Sequence, residues 1–300
     1  MIATKVIRAG SLGFCMGVRR AVKLVRAEAE RFGKVCTLGP LIHNPQALED
    51  LSRLGVTILD ENNLPENLRG VKVVIRAHGI SPQAEDQLRR RGAEIVDATC
   101  PRVKANQMKA AALAKAGYRL FVAGEETHAE ITGILGYAAA STNAATGEAN
   151  GNAASSRVAA DSAGEAAAKL RAETPTAKTA LIGQTTISPE EYRAIGEAIA
   201  RHFPDVEIIP SICGATVERQ ESLRELLDKV EAVIIAGGKK SANARRLLHI
   251  AQEAGKPCAL VETAADITPD FTRYATIGLA AGASTPDTVI DEIEAFCLRR

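Results

Sequence analysis

Cys15, Cys100 and Cys213 are the residues on which chemistry can be built. Each stands in a short turn: Gly13-Phe14-Cys15-Met16-Gly17-Val18, Asp97-Ala98-Thr99-Cys100-Pro101 and Ile212-Cys213-Gly214-Ala215-Thr216. Directly after each turn begins a segment of helical periodicity. A thiol at a helix N-terminus meets unbonded N–H groups and the positive end of the macrodipole, which favour the thiolate that binds metal or reacts. The plain alternative for any one of them is a buried, space-filling cysteine. No pair has the spacing of a zinc ribbon or of a ferredoxin, so local spacing names no metal. Three converging thiolates could hold zinc or an iron-sulfur cluster. In a 4Fe-4S cube held by three cysteines one iron stays open to an outside oxygen, which means chemistry rather than simple electron transfer. Cys36 falls inside a strand, Cys258 at a strand start and Cys297 in the last helix, so these three read as structural.

A second set of groups lies in loops that follow strands. His43, His78 and His128 occupy such loops, as do Ser241, Asn243 and Ser284. Imidazoles, hydroxyls, a side-chain amide and loop N–H groups are donors that bind a diphosphate without a strongly basic surface. A single loop histidine is ordinarily just solvated, and Lys239 and Lys240 read that way too. Glu130, two residues past His128, is the carboxylate expected to donate a proton, because burial among neutral groups raises a glutamate toward that task. Its alternative is helix N-terminal decoration. Thr185 and Thr186 are placed to relay that proton or to grip a substrate hydroxyl.

Strands alternating with helices position these residues, a pattern that predicts parallel sheets joined by right-handed crossovers. The 300 residues exceed what one hydrophobic core usually serves. The pattern restarts twice, which predicts an α/β protein of three pseudo-repeated units with mostly parallel sheets: 15–99, 100–212, and 1–14 plus 213–300. Ligands collect at the carboxyl ends of such strands. An Ala/Ser-rich stretch at about 138–156 reads as an exposed insertion, and a helix is expected near Glu165–Leu170. Hydrophobic residues make up 46%, net charge is +1, aromatic residues are 3% and Trp is absent, so nucleic acid is not an expected partner. The N-terminus reads as a strand rather than a secretory signal, no apolar run is long enough to insert in a membrane, and cysteines are sparse. A cytoplasmic protein is expected.

With these residues in hand the chain resembles the 4-hydroxy-3-methylbut-2-enyl diphosphate reductase family of the non-mevalonate (MEP) isoprenoid route. The three cysteine turns carry the likeness, with Ile42-His43-Asn44, Ala77-His78-Gly79, His128-Ala129-Glu130, Gln184-Thr185-Thr186 and Gly282-Ala283-Ser284-Thr285-Pro286, all in family order. The resemblance implies a clover of three α/β domains around one 4Fe-4S cluster per chain, ligated by Cys15, Cys100 and Cys213. It implies that His43, His78, Ser241, Asn243 and Ser284 hold the diphosphate, with His128 beside it and Glu130 and Thr185 at the substrate hydroxyl. Two electrons from ferredoxin or flavodoxin, with its reductase, would then give isopentenyl and dimethylallyl diphosphates. A monomer or weak dimer is expected. Ala242 stands where the family often has a second serine, and Ala129 where proline is common, so one hydroxyl and one fixed φ are missing. An iron-sulfur hydrolyase on a related diphosphate and a non-catalytic iron-sulfur sensor are the competing readings.

Overall fold

The computed structural model describes residues 5–146, 157–160, 162, 164–165 and 178–299. Three four-stranded sheets form the frame. One has the order β1–β12–β10–β11, from Lys5–Arg8, Thr276–Ala281, Ala232–Ala236 and Cys258–Val261. The second is β3–β2–β4–β5, from Val56–Leu59, Val35–Leu38, Lys72–Ile75 and Glu94–Asp97. The third is β7–β6–β8–β9, from Arg157–Ala160, Arg119–Ala123, Thr179–Gly183 and Glu207–Ile208. The registered pairs are parallel throughout, for example Val233 opposite Cys258 and Val122 opposite Ile182. The α/β expectation therefore holds.

The reason lies in the strand sequences. Every residue of β10 (Ala-Val-Ile-Ile-Ala) is buried. Ala232, Ile234 and Ala236 enter one core cluster with Val289, Ile290 and Ile293, while Val233 and Ile235 enter another with Leu223, Leu226 and Leu247. Successive side chains point to opposite faces, so a continuous apolar run is what a strand covered by helices on both faces requires. β6 and β8 repeat this. Leu120, Val122, Ala180 and Ile182 pack on one side, and Phe121, Ala123 and Leu181 on the other.

The helices used below are α1 (Met16–Phe32), α2 (Pro45–Arg53), α3 (Pro82–Arg90), α4 (Pro101–Lys115), α5 (Ala129–Thr146), α6 (Pro189–Ala200), α7 (Gly214–Leu227), α8 (Ala242–Glu253) and α9 (Asp287–Leu298). Asn44, Ser81, Ser188 and Ser241 cap α2, α3, α6 and α8, each accepting a backbone N–H three residues on. Such caps satisfy donors that the helix itself leaves unpaired. Proline at the first position of α2, α3 and α6 presets φ there.

The chain divides into two compact units: residues 1–33, 40–57 and 214–300, and residues 34–39 and 58–213. One expectation is corrected. The stretch from 138 is not an exposed insertion at its start, because α5 continues to Thr146 and Ala138 is fully buried. Alanine is the best helix former, and a run of it extends a helix as readily as it fills a linker. Residues 147–156 lie outside the described residues, and so does most of the helix expected near Glu165–Leu170. No helix among the described residues is long and apolar enough to cross a membrane.

Candidate active site

The second unit places Glu130 and Thr185 together. Glu130 sits in the first turn of α5 and Thr185 in the loop after β8, and the Thr185 N–H donates to Glu130 Oε1 at 2.8 Å. The Thr185 hydroxyl donates to Oε2 at 2.9 Å. Glu130 is only 1% exposed. Desolvation drives its carboxyl up, the two Thr185 bonds hold it down, and burial prevails, leaving it pushed up to about 7. A surface decoration of a helix end would not be buried in this way.

His128 precedes α5. Its Nδ1 accepts the Glu130 N–H at 3.2 Å, so a neutral ring carries its proton on Nε2 and offers a donor there. The His78 and His128 rings meet edge to face, with centroids 5.2 Å apart. His78 follows β4 and is partly buried.

Around this group the backbone is pinned by polar side chains that sequence reasoning passed over. Asn106, on the buried face of α4, donates to the carbonyls of Gly183 and Ser211, at 3.3 and 3.1 Å. This ties the segment entering Thr185 to the one entering Cys213. Cys213 in turn donates its N–H to the Thr185 carbonyl at 3.0 Å. Ser211 Oγ accepts the Gly183 N–H, and the Tyr192 hydroxyl reaches the Leu181 and Ile209 carbonyls. Gln184 accepts the Glu125 N–H and donates to the Thr186 hydroxyl. Thr186 thus braces the loop. The one available signal was the pair Asn106-Gln107 inside a helix stripe whose other buried residues, Val103, Ala110, Leu113 and Ala114, are apolar.

Cys100 caps α4 without using its thiol in a cap bond, and its N–H donates to the Ala77 carbonyl at 2.9 Å, next to His78. Asp97 holds the turn ahead of it, accepting from the Thr99 N–H and from Lys104.

The first unit holds Cys15, His43, Ser241, Asn243 and Ser284. Cys15 caps α1, its Sγ accepting the Val18 N–H at 3.5 Å, and its own N–H donates to the Ala283 carbonyl at 3.0 Å. Gly13 has φ of +74°, and a Cβ there would strike the Asp287 carboxylate, so glycine is required. Buried Arg219 donates to the Gly13 carbonyl at 2.8 Å and the Ala215 carbonyl at 3.0 Å, clamping the cysteine turn to α7. Nothing local in the sequence marks this residue.

The Gly237-Gly238 turn leads into Ser241, the cap of α8, and Asn243 lies in the first turn of that helix rather than in the loop expected from the sequence. A Cβ at Gly238 would collide with the His43 carbonyl, so this turn packs directly on the loop before α2. Asn243 and Ser284 are 4% and 7% exposed, and Asn243 Nδ2 and Ser284 Oγ have no hydrogen-bond partner among the described residues. Buried donors left open in this way cost free energy unless a ligand takes them. The donor set fits an anion with several oxygens.

None of the six cysteines forms a disulfide. Cys15, Cys100 and Cys213 are partly accessible, each immediately before a helix, whereas Cys297 is buried in α9. Thiols of the former kind fit an iron-sulfur group.

The sequence profile of a family described as "LytB protein" matches residues 6–297. A 4-hydroxy-3-methylbut-2-enyl diphosphate reductase of Treponema pallidum is 40% identical, over 96% of this chain and 82% of that protein. The enzyme of that name from Aquifex aeolicus is 39% identical, over 96% and 94%. Among solved structures, the E-1-hydroxy-2-methyl-but-2-enyl-4-diphosphate reductase of Plasmodium falciparum superposes with a TM-score of 0.86 at 26% identity, covering 97% of this chain and 87% of that one. A structure described as the terminal enzyme of the non-mevalonate pathway gives 0.67 at 35% identity, covering 99% and 100%.

Proposed function

The chain belongs to the LytB protein family, and from that premise we propose how its residues carry out the family's reaction. It is an oxidoreductase that reduces 4-hydroxy-3-methylbut-2-enyl diphosphate, the closing step of non-mevalonate isoprenoid synthesis. An allylic C–O bond is broken, two electrons and two protons are consumed, and water leaves. We assign Cys15, Cys100 and Cys213 as the ligands of one 4Fe-4S cluster. That group, when bound, supplies electrons and an open iron for the substrate oxygen.

The observation that carries the reading is the Glu130–Thr185 pair. Hydroxide is a poor leaving group, so the departing oxygen needs an acid. A carboxyl near 7 is still substantially protonated at neutral pH. When Glu130 is protonated on Oε2, the bond to Thr185 Oγ reverses: the carboxyl donates, and the threonine hydroxyl turns its own proton outward. Loss of that proton to the leaving oxygen and refilling from Glu130 passes one proton along the pair.

The remaining residues bind. Asn243 Nδ2, Ser284 Oγ and the Ser241 loop are assigned to the diphosphate, with His43 and His78. His128, with its Nε2–H, is assigned to the substrate as well. We read each sheet with its helices as one of three pseudo-repeats, with boundaries near 15–99, 100–212, and 1–14 plus 213–300. Ferredoxin or flavodoxin is the proposed electron donor and the cytoplasm the proposed compartment, where thiols stay reduced.

Anaerobic turnover tests the function. Protein reconstituted with iron and sulfide should oxidise a reduced viologen dye only when the diphosphate is added. Conversion of the diphosphate without any reductant would mark a hydrolyase instead.

A further inference from the structure

We propose that the exposed face of α1 next to Cys15 is the docking surface for an acidic one-electron carrier protein. This rests on the reductase reading. Met16, the residue after Cys15, is 68% exposed. Methionine is ordinarily among the more buried residues, and here it opens a shallow concavity lined by Arg19, Arg20, Lys23, Leu24 and Ala27. Spacings of three and four place these residues in one row along the helix. The opposite face, with Val18, Ala21, Val22 and Val25 buried, anchors α1 and fixes the row rigidly.

Charge identifies the occupant. From Met16 to Ala27 the helix carries Arg19, Arg20, Lys23 and Arg26 and no acidic residue. The chain as a whole has a net charge of only +1, so this row is a local excess and not a by-product of a basic protein. An apolar spot among cations suits a partner with an acidic rim around a small apolar contact. A two-fold contact with a second copy would set the row against itself, with like charges opposed. Nucleic acid would call for a wider basic field and for aromatic stacking, which 3% aromatic residues do not provide. A membrane surface would need the apolar face of α1, and that face is already in the core.

An electron carrier is the acidic partner that gains from this position. The row begins at the residue following a cysteine assigned to the redox centre, and that cysteine is only partly buried. Each reduced carrier gives one electron and leaves oxidised. Two such encounters, with two protons, convert the substrate R–OH to R–H and water.

The test compares the wild-type holoenzyme with the Arg19→Glu/Lys23→Glu double variant, using a reduced acidic [2Fe–2S] ferredoxin as the probe. Calorimetric titration of ferredoxin into the holoenzyme and into the metal-free chain reads binding apart from activity. The expected result is a Kd and a ferredoxin KM raised by about tenfold or more, with a flattened salt dependence. Turnover with reduced viologen dye should be unchanged. The milder Arg19→Gln/Lys23→Gln variant should fall between the two. Wild-type ferredoxin affinity in the charge-reversed variant overturns the proposal, as does a change confined to self-association or to nucleic-acid binding. Wild-type protein that cannot turn over even with dye would overturn the reductase reading instead.

Discussion

Thr185 holds both oxygens of Glu130, one through its N–H at 2.8 Å and the other through its hydroxyl at 2.9 Å. The carboxyl is thereby fixed in orientation while burial keeps it protonatable near neutrality. These two properties are what the proposed proton donor requires: a fixed direction and a proton still held near neutral pH.

The pH profile of Glu130 follows from its raised value. Activity that needs the protonated carboxyl should decline as pH rises through about 7. Glu130→Gln should lose about 10²-fold or more in kcat with an intact cluster, and it should lose that alkaline limb. Rates measured between pH 6 and 9 decide this; a variant with full turnover rules out the proton-donor role.

Stability should carry the same signature. The folded chain holds the Glu130 proton more tightly than the unfolded one, so stability is fullest below about pH 4.5. It falls as pH climbs to about 7. The loss amounts to about 3 kcal/mol once pH is above 7. Glu130→Gln should therefore melt higher than wild type at pH 8, and the gap should close near pH 5. Thermal melts of both proteins across that range provide the check.

Thr185→Val removes one of the two bonds that lower the Glu130 carboxyl and breaks the proton path, while Thr185→Ser keeps both. The valine variant should lose about tenfold or more in kcat, with its alkaline limb shifted upward. The serine variant should stay near wild type. Equal loss in both would point to packing by the threonine methyl group.

Arg219→Met deletes two charge-assisted bonds to carbonyls and frees the Gly13 carbonyl beside the Cys15 turn. Unfolding in denaturant should show a loss of about 2–4 kcal/mol, with weaker iron retention than wild type. Gly238→Ala should push the Ser241 loop off His43 and raise the substrate KM more than it lowers kcat.

Cys15→Ser should abolish cluster retention and activity together while the fold persists, because the turn is held by the Cys15 N–H, Arg219 and Gly13 rather than by the thiol alone. Iron and sulfide analysis after anaerobic reconstitution, beside far-UV circular dichroism, separates the two effects. Cys297→Ser, changing a buried α9 thiol, should retain iron.

Much of this was legible in the residues. Short, β-branched apolar runs such as Ala232–Ala236 read as strands covered on both faces, and their alternation with capped helices points to parallel sheets. The motif cysteines, the histidine loops and Glu130 were readable because turn chemistry and residue type are local properties of the chain. The extent of α5 was not, since alanine favours a helix and a linker alike and only packing of residues such as Ala138 separates them. What the tertiary structure alone decided is which groups share a carboxylate and which clamp a turn. Thr185 lies 55 residues from Glu130, and Arg219 lies 206 from Gly13. Burial and hydrogen bonding act through space, and the pKa of Glu130 comes from neighbours that no local stretch of sequence contains.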